Sequence, residues 1–186
     1  MPKTIQGFKI NLRTLKITDA LSIYKHAKDR EISRFTYLPY PYKINHAKEF
    51  IKKTWRSIKQ KNAYEFGIEN PETKQIIGMI GFTNIDIKNK NAELGYWVGK
   101  KYWGSGLAKE ALELMLNFSF KRKVDAIHEL PLLVRIYARV MHPNIPSQNL
   151  LKKFGFKFEG RFRKHIYRNR TWLDELRYSI LKEEFK

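Results

Sequence analysis

Apolar and polar side chains alternate from Phe8 to Leu15 (FKINLRTL), the period of a half-buried strand. Thr18 and Asp19 then offer a cap for a helix running to about Lys28, with Leu21, Tyr24 and Lys28 on one face. A proline- and aromatic-rich segment follows, ending Leu38-Pro39-Tyr40-Pro41-Tyr42, which reads as a loop that lines a pocket or packs over the core. The clearest helical period lies between Asn45 and Lys61, where Ala47, Phe50, Ile51, Thr54, Trp55 and Ile58 form one stripe. Ala63–Glu69, Gln75–Thr83 and the stretch from Glu93 then predict three strands on short turns, an antiparallel meander. Beyond them, Gly106 to Lys121 predicts a helix with Leu107, Ala111, Met115 and Phe118 inward. Residues 122–131 read as irregular, and Leu132 to Met141 as a strand. A short helix over Gln148–Lys153 ends at Gly155, and two last strands, Phe156–Tyr167 and Thr171–Leu181, turn at Arg168-Asn169-Arg170.

The stretch Glu93 to Ala108 (ELGYWVGKKYWGSGLA) joins a strand to a helix through a turn holding Gly104 and Gly106. Glycines let the backbone come close to a ligand, and the head of a helix carries unpaired N–H groups and a positive dipole. Such a turn suits phosphate. It also suits a plain tight connection, because G-S-G-L-A is only a fragment of a dinucleotide fingerprint and lacks the Lys-Ser/Thr of an ATP loop.

Composition narrows the field. With 186 residues, 42% hydrophobic, the chain predicts one folded domain over residues 1–186, without repeat or linker. No apolar run approaches a membrane span, no leader-like segment opens the chain, and a cytoplasmic location is expected. The absence of cysteine excludes a disulfide scaffold, a thiolate metal site and a cysteine nucleophile. Five histidines without ligand spacing predict no metal. The net charge of +19 is spread along the chain, as a solvated surface or as an attraction for anions such as a phosphorylated cofactor or RNA.

A second motif, Met141 to Gly160 (MHPNIPSQNLLKKFGFKFEG), completes a pattern. Three blocks in order are Gly95-Tyr96-Trp97 with Tyr102 to Ala108; Asn144, Ser147, Leu151, Lys153 and Gly155-Phe156; and Glu159-Gly160 with Arg163 and Asp174. Together they make nearly the whole chain resemble the GNAT superfamily of acetyl-CoA-dependent N-acetyltransferases, of the ribosomal-protein (RimJ/RimL-like) type. The resemblance implies an α/β (α+β) fold: a mostly antiparallel mixed sheet of six to seven strands with a central splay, flanked by about four helices. It implies acetyl-CoA as co-substrate, its arm held by the main chain of Trp97, Val98 and Gly99. Its diphosphate would lie on the N–H groups of Trp103, Gly104, Ser105, Gly106, Leu107 and Ala108. Lys101 stands where the family has Gln or Arg, keeping a charge but losing the guanidinium fork. Asn144 would reach the pantetheine amide, and Lys153 either contacts adenosine or faces solvent.

The same resemblance implies direct attack of an amine in a ternary complex, which needs a neutral amine, an oxyanion donor and an acid. The tyrosine and glutamate some relatives use are Leu151 and Arg139 here. Ser147 is therefore the acid candidate, or else a helix cap. Glu93 is the base candidate, with Asp174, Tyr137 and Tyr178 as rivals. An α-amino group is about a tenth neutral at pH 7 and a lysine roughly one part in 2,500, so an enzyme without a strong base suits a protein N-terminus. Proximity to ribosomal RNA would use the positive charge. Rival expectations are a small-amine acetyltransferase and a non-catalytic RNA-binding module, acting as monomer or homodimer.

Overall fold

The computed structural model describes residues 4–121, 133–168 and 170–185. Among these, eight strands form one sheet in the order β1-β2-β3-β4-β5-β6-β8-β7. The strands are β1 Thr4–Gln6, β2 Asn11–Arg13, β3 Tyr64–Glu69, β4 Ile76–Asp86, β5 Asn91–Val98, β6 Arg135–Met141, β7 Lys157–Arg168 and β8 Thr171–Leu181. Five helices accompany them among the described residues: α1 Ala20–Ala27, α2 Arg30–Arg34, α3 Ile44–Lys59, α4 Leu107–Phe120 and α5 Ile145–Lys153. The GNAT-like α/β fold expected from the sequence is the one observed, with an extra strand and an extra helix. The predicted meander is β3-β4-β5, antiparallel throughout, and β5 then pairs with β6 in parallel.

The additional strand comes from the first segment. The predicted strand from Phe8 is instead a tight hairpin, closed by Gly7 N–H donating to the Ile10 carbonyl, and Phe8 is exposed. In α1 the inner face is Ala20, Ile23 and Ala27, whereas Leu21 is exposed. This face packs the helix onto β4, and Asp19 caps not α1 but the 3-10 turn before it, accepting from Lys16 N–H at 2.7 Å. Its carboxylate turns inward to the Arg13 guanidinium at 2.8 Å, beside Glu69. α3 begins at Ile44, so Asn45 lies inside the helix, and Trp55 sits half exposed with its indole donating to the Leu15 carbonyl. α5 starts three residues earlier than predicted because Asn144 caps it and Pro146 fits its first turn. The irregular segment expected over 122–131, together with Leu132 and Asn169, lies outside the described residues.

The sheet separates two apolar cores. One lies under α4 and α5 and takes the even-numbered face of β5, with Ala92, Leu94 and Val98. The other joins α1 and α3 to Leu15, Ile76, Met79 and Trp97. On that second face the helices stop at β5. The continuing strip of β6 and β8 is polar instead, carrying Tyr137, Arg139, Glu175 and Arg177.

Candidate functional site

The sheet opens in its middle. β5 pairs with β6 only from Asn91 to Glu93, facing Arg135 to Tyr137. Yet β5 stays on β4 as far as Val98, and β6 stays on β8 as far as Met141. Beyond Glu93 the two middle strands therefore diverge, leaving main-chain groups facing a wedge. Alternation identifies them. The Lys90 carbonyl accepts from Val134 on the β6 side, while Gly99 N–H donates to Ile77 on the β4 side at 2.8 Å. Even-numbered residues of β5 thus aim their N–H and C=O at the gap. Of the three main-chain groups expected to hold a cofactor arm, only Val98 faces the wedge; Trp97 and Gly99 turn theirs to β4. The Val98 carbonyl is taken by the Trp103 indole at 2.8 Å, which leaves its N–H directed into the gap.

The glycine loop behaves similarly. Gly104 and Gly106 have φ of +74° and +83°, a left-handed backbone that penalises any side chain. An added Cβ at either would meet nothing within 4 Å, so the loop borders open space. Trp103 and Ser105 N–H groups are spent inside the loop, on the Lys100 and Tyr102 carbonyls. Among the described residues Gly104, Gly106, Leu107 and Ala108 have no such acceptor, and Gly106 caps α4 without a side chain. The anion cradle expected over six residues is thus four N–H groups at the head of a 14-residue helix. This open cradle fits a diphosphate. Lys101 lies exposed beside it over the Tyr102 ring, and His26 packs underneath, edge-on to Tyr102. Lys153 is exposed in the last turn of α5.

At the open end of the wedge, Asn144 Oδ1 accepts from Ser147 N–H at 3.2 Å. Asn144 is the cap, and the Ser147 hydroxyl is left for other work. Its Oγ lies 2.9 Å from the Tyr96 hydroxyl. Burial pushes the Tyr96 phenol up to about 12, with the Ser147 hydrogen bond opposing, so it stays protonated at neutral pH. Sequence reasoning did not single out Tyr96 as a functional residue. Its even position on the splayed strand was the available signal.

Glu93 does not stand free. One oxygen accepts from Arg139 Nε and the other from Asn84 Nδ2, both at 2.8 Å. The candidate base is thus held by two donors, and it fixes the Arg139 guanidinium in turn. The rival Asp174 is bound to Arg161 and the Lys164 N–H, and Tyr178 is buried against Gln148. Tyr137 stands half-buried opposite Glu93.

A cleft of about 550 Å³ runs through this gap. One end holds Asn144, Ser147 and Tyr96; the other lies between α3 and the aromatic loop of Phe35, Tyr37, Leu38 and Tyr42. The loop thus lines the pocket, with Tyr42 also buried in the second core.

The acetyltransferase (GNAT) domain family matches residues 9–157. The N-acetyltransferase YoaA of Bacillus subtilis, itself uncharacterized, is 32% identical over 94% of both chains. The ribosomal protein uS5-alanine N-acetyltransferase of Escherichia coli is 34% identical over 63% of this chain and 57% of its own. The structure of the microcin C7 self-immunity acetyltransferase MccE, with acetyl-CoA and AMP, superposes with a TM-score of 0.82. That similarity covers 97% of each chain at 22% identity, a likeness of fold.

Proposed function

Since this chain belongs to the acetyltransferase (GNAT) domain family, an acetyl-CoA-dependent N-acetyltransferase by its kinship, we propose that its acceptor is the α-amino group at a protein N-terminus. Acetyl-CoA, when bound, supplies an acetyl group activated as a thioester. The chain's part is to hold it and to present an amine. The N–H groups of Gly104, Gly106, Leu107 and Ala108 bind the diphosphate, and Val98 N–H with the Asn144 amide line the way to the gap. Ser147 Oγ holds a proton at the gap and can give it up there, and Tyr96 Oη, 2.9 Å away, can resupply it. The aromatic loop excludes water from the other end.

One observation carries the acceptor reading: both oxygens of Glu93 are occupied. With that carboxylate committed, an amine that is already partly neutral at pH 7 is favoured, and an α-amine meets this requirement far better than a lysine. The Escherichia coli relative, named for N-acetylation of an alanine of ribosomal protein uS5, supports a protein acceptor. Incubating purified protein and acetyl-CoA with a peptide library, followed by mass spectrometry, tests it. Acetylation on α-amines is expected; transfer only to lysine side chains or small amines would overturn the reading. An RNA-binding module without catalysis would instead gain thermal stability from RNA and none from acetyl-CoA.

A further inference from the structure

The folded chain withdraws several carboxylates from water and compensates nearly all of them. Asp19 and Glu69 share Arg13, Glu93 has Arg139, and Glu175 has Arg177 at 3.1 Å. Glu110 accepts from the main-chain N–H of Lys9. Among the described residues Glu65 stands apart. It has neither a cation within 4 Å nor a main-chain donor, only the Thr54 hydroxyl at 3.3 Å. A carboxylate taken from water without a partner is unfavourable, and a ligand can supply what the chain does not. Burial raises the proton affinity of Glu65, while Thr54 and nearby Lys53 pull it back.

Its position explains what the ligand would be. Glu65 lines the acceptor end of the cleft. In register across the sheet it faces Gly81, and Gly81 faces Gly95. Side chains in cross-strand register share a face; Gly81 makes room for the Glu65 side chain, whose Cγ lies 2.9 Å from where a Cβ would be, and Gly95 leaves a trough between it and the wedge. An added Cβ at Gly95 would enter open space. Two strand spacings, about 10 Å, separate the Glu65 backbone from β5. Around the trough stand the aromatic residues Tyr42, Phe50 and Trp97, a residue type that suits a cation. The charged groups facing the cleft are Glu49, Lys53, Glu65, Glu93 and Arg139, with His46 beside them. Three carboxylates thus face two cations in a chain whose formal net charge is +19.

We propose that Glu65 is a specificity residue that binds a second, cationic group of the acceptor, about two strand spacings from the amine at the gap. The acceptor class is then an N-terminus followed within the first few residues by a basic side chain. This rests on the N-terminal reading above and sharpens it.

The test uses acetyl-CoA and two hexapeptides with free N-termini, one beginning Ala-Arg and one Ala-Ala, on wild type, Glu65→Gln and Glu65→Lys. Wild type is expected to favour the arginine peptide in kcat/KM by on the order of tenfold, mainly through KM. Glu65→Gln removes that preference while leaving the Ala-Ala peptide unchanged, and Glu65→Lys reverses it. Equal use of both peptides by wild type, or equal loss on both in Glu65→Gln, overturns the proposal. Should neither peptide be acetylated, the N-terminal reading fails by itself, and the subsite is decided by binding. 1,6-Diaminohexane should then raise the melting temperature of wild type above the effect of hexylamine, and not that of Glu65→Gln. No difference between the two amines sinks the subsite.

Discussion

The two ends of the cleft are built from different materials. The diphosphate end is almost wholly main chain: four N–H groups, two left-handed glycines and a helix dipole. The acceptor end is side chain, gathered from β3, α3, the aromatic loop and β6. A main-chain site is specified by which side chains are absent, since glycine takes left-handed backbone angles without steric cost and leaves the N–H groups open to approach. A side-chain site is specified by which residues are present, and they arrive from segments up to a hundred residues apart. The first is therefore easily broken by adding an atom, the second easily retuned by exchanging one. Affinity for the co-substrate should be brittle and acceptor choice plastic.

Gly104→Asp is the largest breakage expected. The new side chain is forced into a left-handed backbone, costing about 1–2 kcal/mol, and sets a carboxylate where an anion belongs. Affinity for acetyl-CoA is expected to fall on the order of a thousandfold, about 4 kcal/mol, by calorimetric titration. Unchanged affinity would remove the loop from the site. Next, Ser147→Ala should reduce kcat on the order of a hundredfold, the lower range for a lost proton donor. The melting-temperature rise given by acetyl-CoA should persist, because Asn144 rather than Ser147 caps α5. Tyr96→Phe should follow in the same direction but less, since it removes the resupply and not the donor. Full turnover in Ser147→Ala would assign proton transfer elsewhere.

Gly95→Val tests the border between the two ends. Its methyl groups would occupy the glycine trough, where no atom lies within 4 Å of an added Cβ. A rise in acceptor KM on the order of tenfold is expected, from lost room rather than lost folding. Acetyl-CoA affinity should hold. If it fell equally, the trough and the cradle would be one site and the contrast between them would dissolve.

This contrast also explains what could be read from residues alone. The glycine loop, the helix after it and the three meander strands were legible because each is a local pattern, strand period, turn glycine and helix former in succession. The Asn144–Ser147 motif was legible for the same reason, but its two roles were not. Only the structure shows that Asn144 caps the helix and that Ser147 is free to meet Tyr96. The Glu93–Arg139 pair was not legible, because Arg139 lies 46 residues on, joined to Glu93 by a parallel register no local pattern announces. Glu65 was passed over within an ordinary strand. Its significance is that among the described residues it lacks a cationic partner, which a sequence cannot display. That the main-chain groups of Trp97 and Gly99 face β4 and not the wedge follows from the phase of strand alternation, which the hydrogen bonds at Lys90 and Gly99 decide.

The diphosphate end is not purely main chain, and pH exposes its one concealed side chain. His26 sits under the loop, where a Cβ added to Gly99 would lie 2.8 Å from its Nδ1. Its Nε2 is buried without a partner among the described residues. Burial, and then Lys101 and Lys25, hold its pKa below the ordinary 6.5. A histidine whose folded value is depressed is neutral in the fold and readily charged in the unfolded chain. The unfolded state therefore binds more protons over the window between the two values, and stability rises with pH there. His26 should contribute fully above about pH 6.5 and progressively less as pH falls toward its lower folded value. Comparing wild type with His26→Gln at pH 7.5 and 5.5, the melting-temperature advantage of wild type should shrink on acidification, on the order of 2 °C. An advantage that stayed constant would mean His26 acts by packing against Tyr102 alone. An advantage that shrank together with acetyl-CoA affinity would show the main-chain cradle leaning on a neutral imidazole, narrowing the difference between the two ends of the cleft.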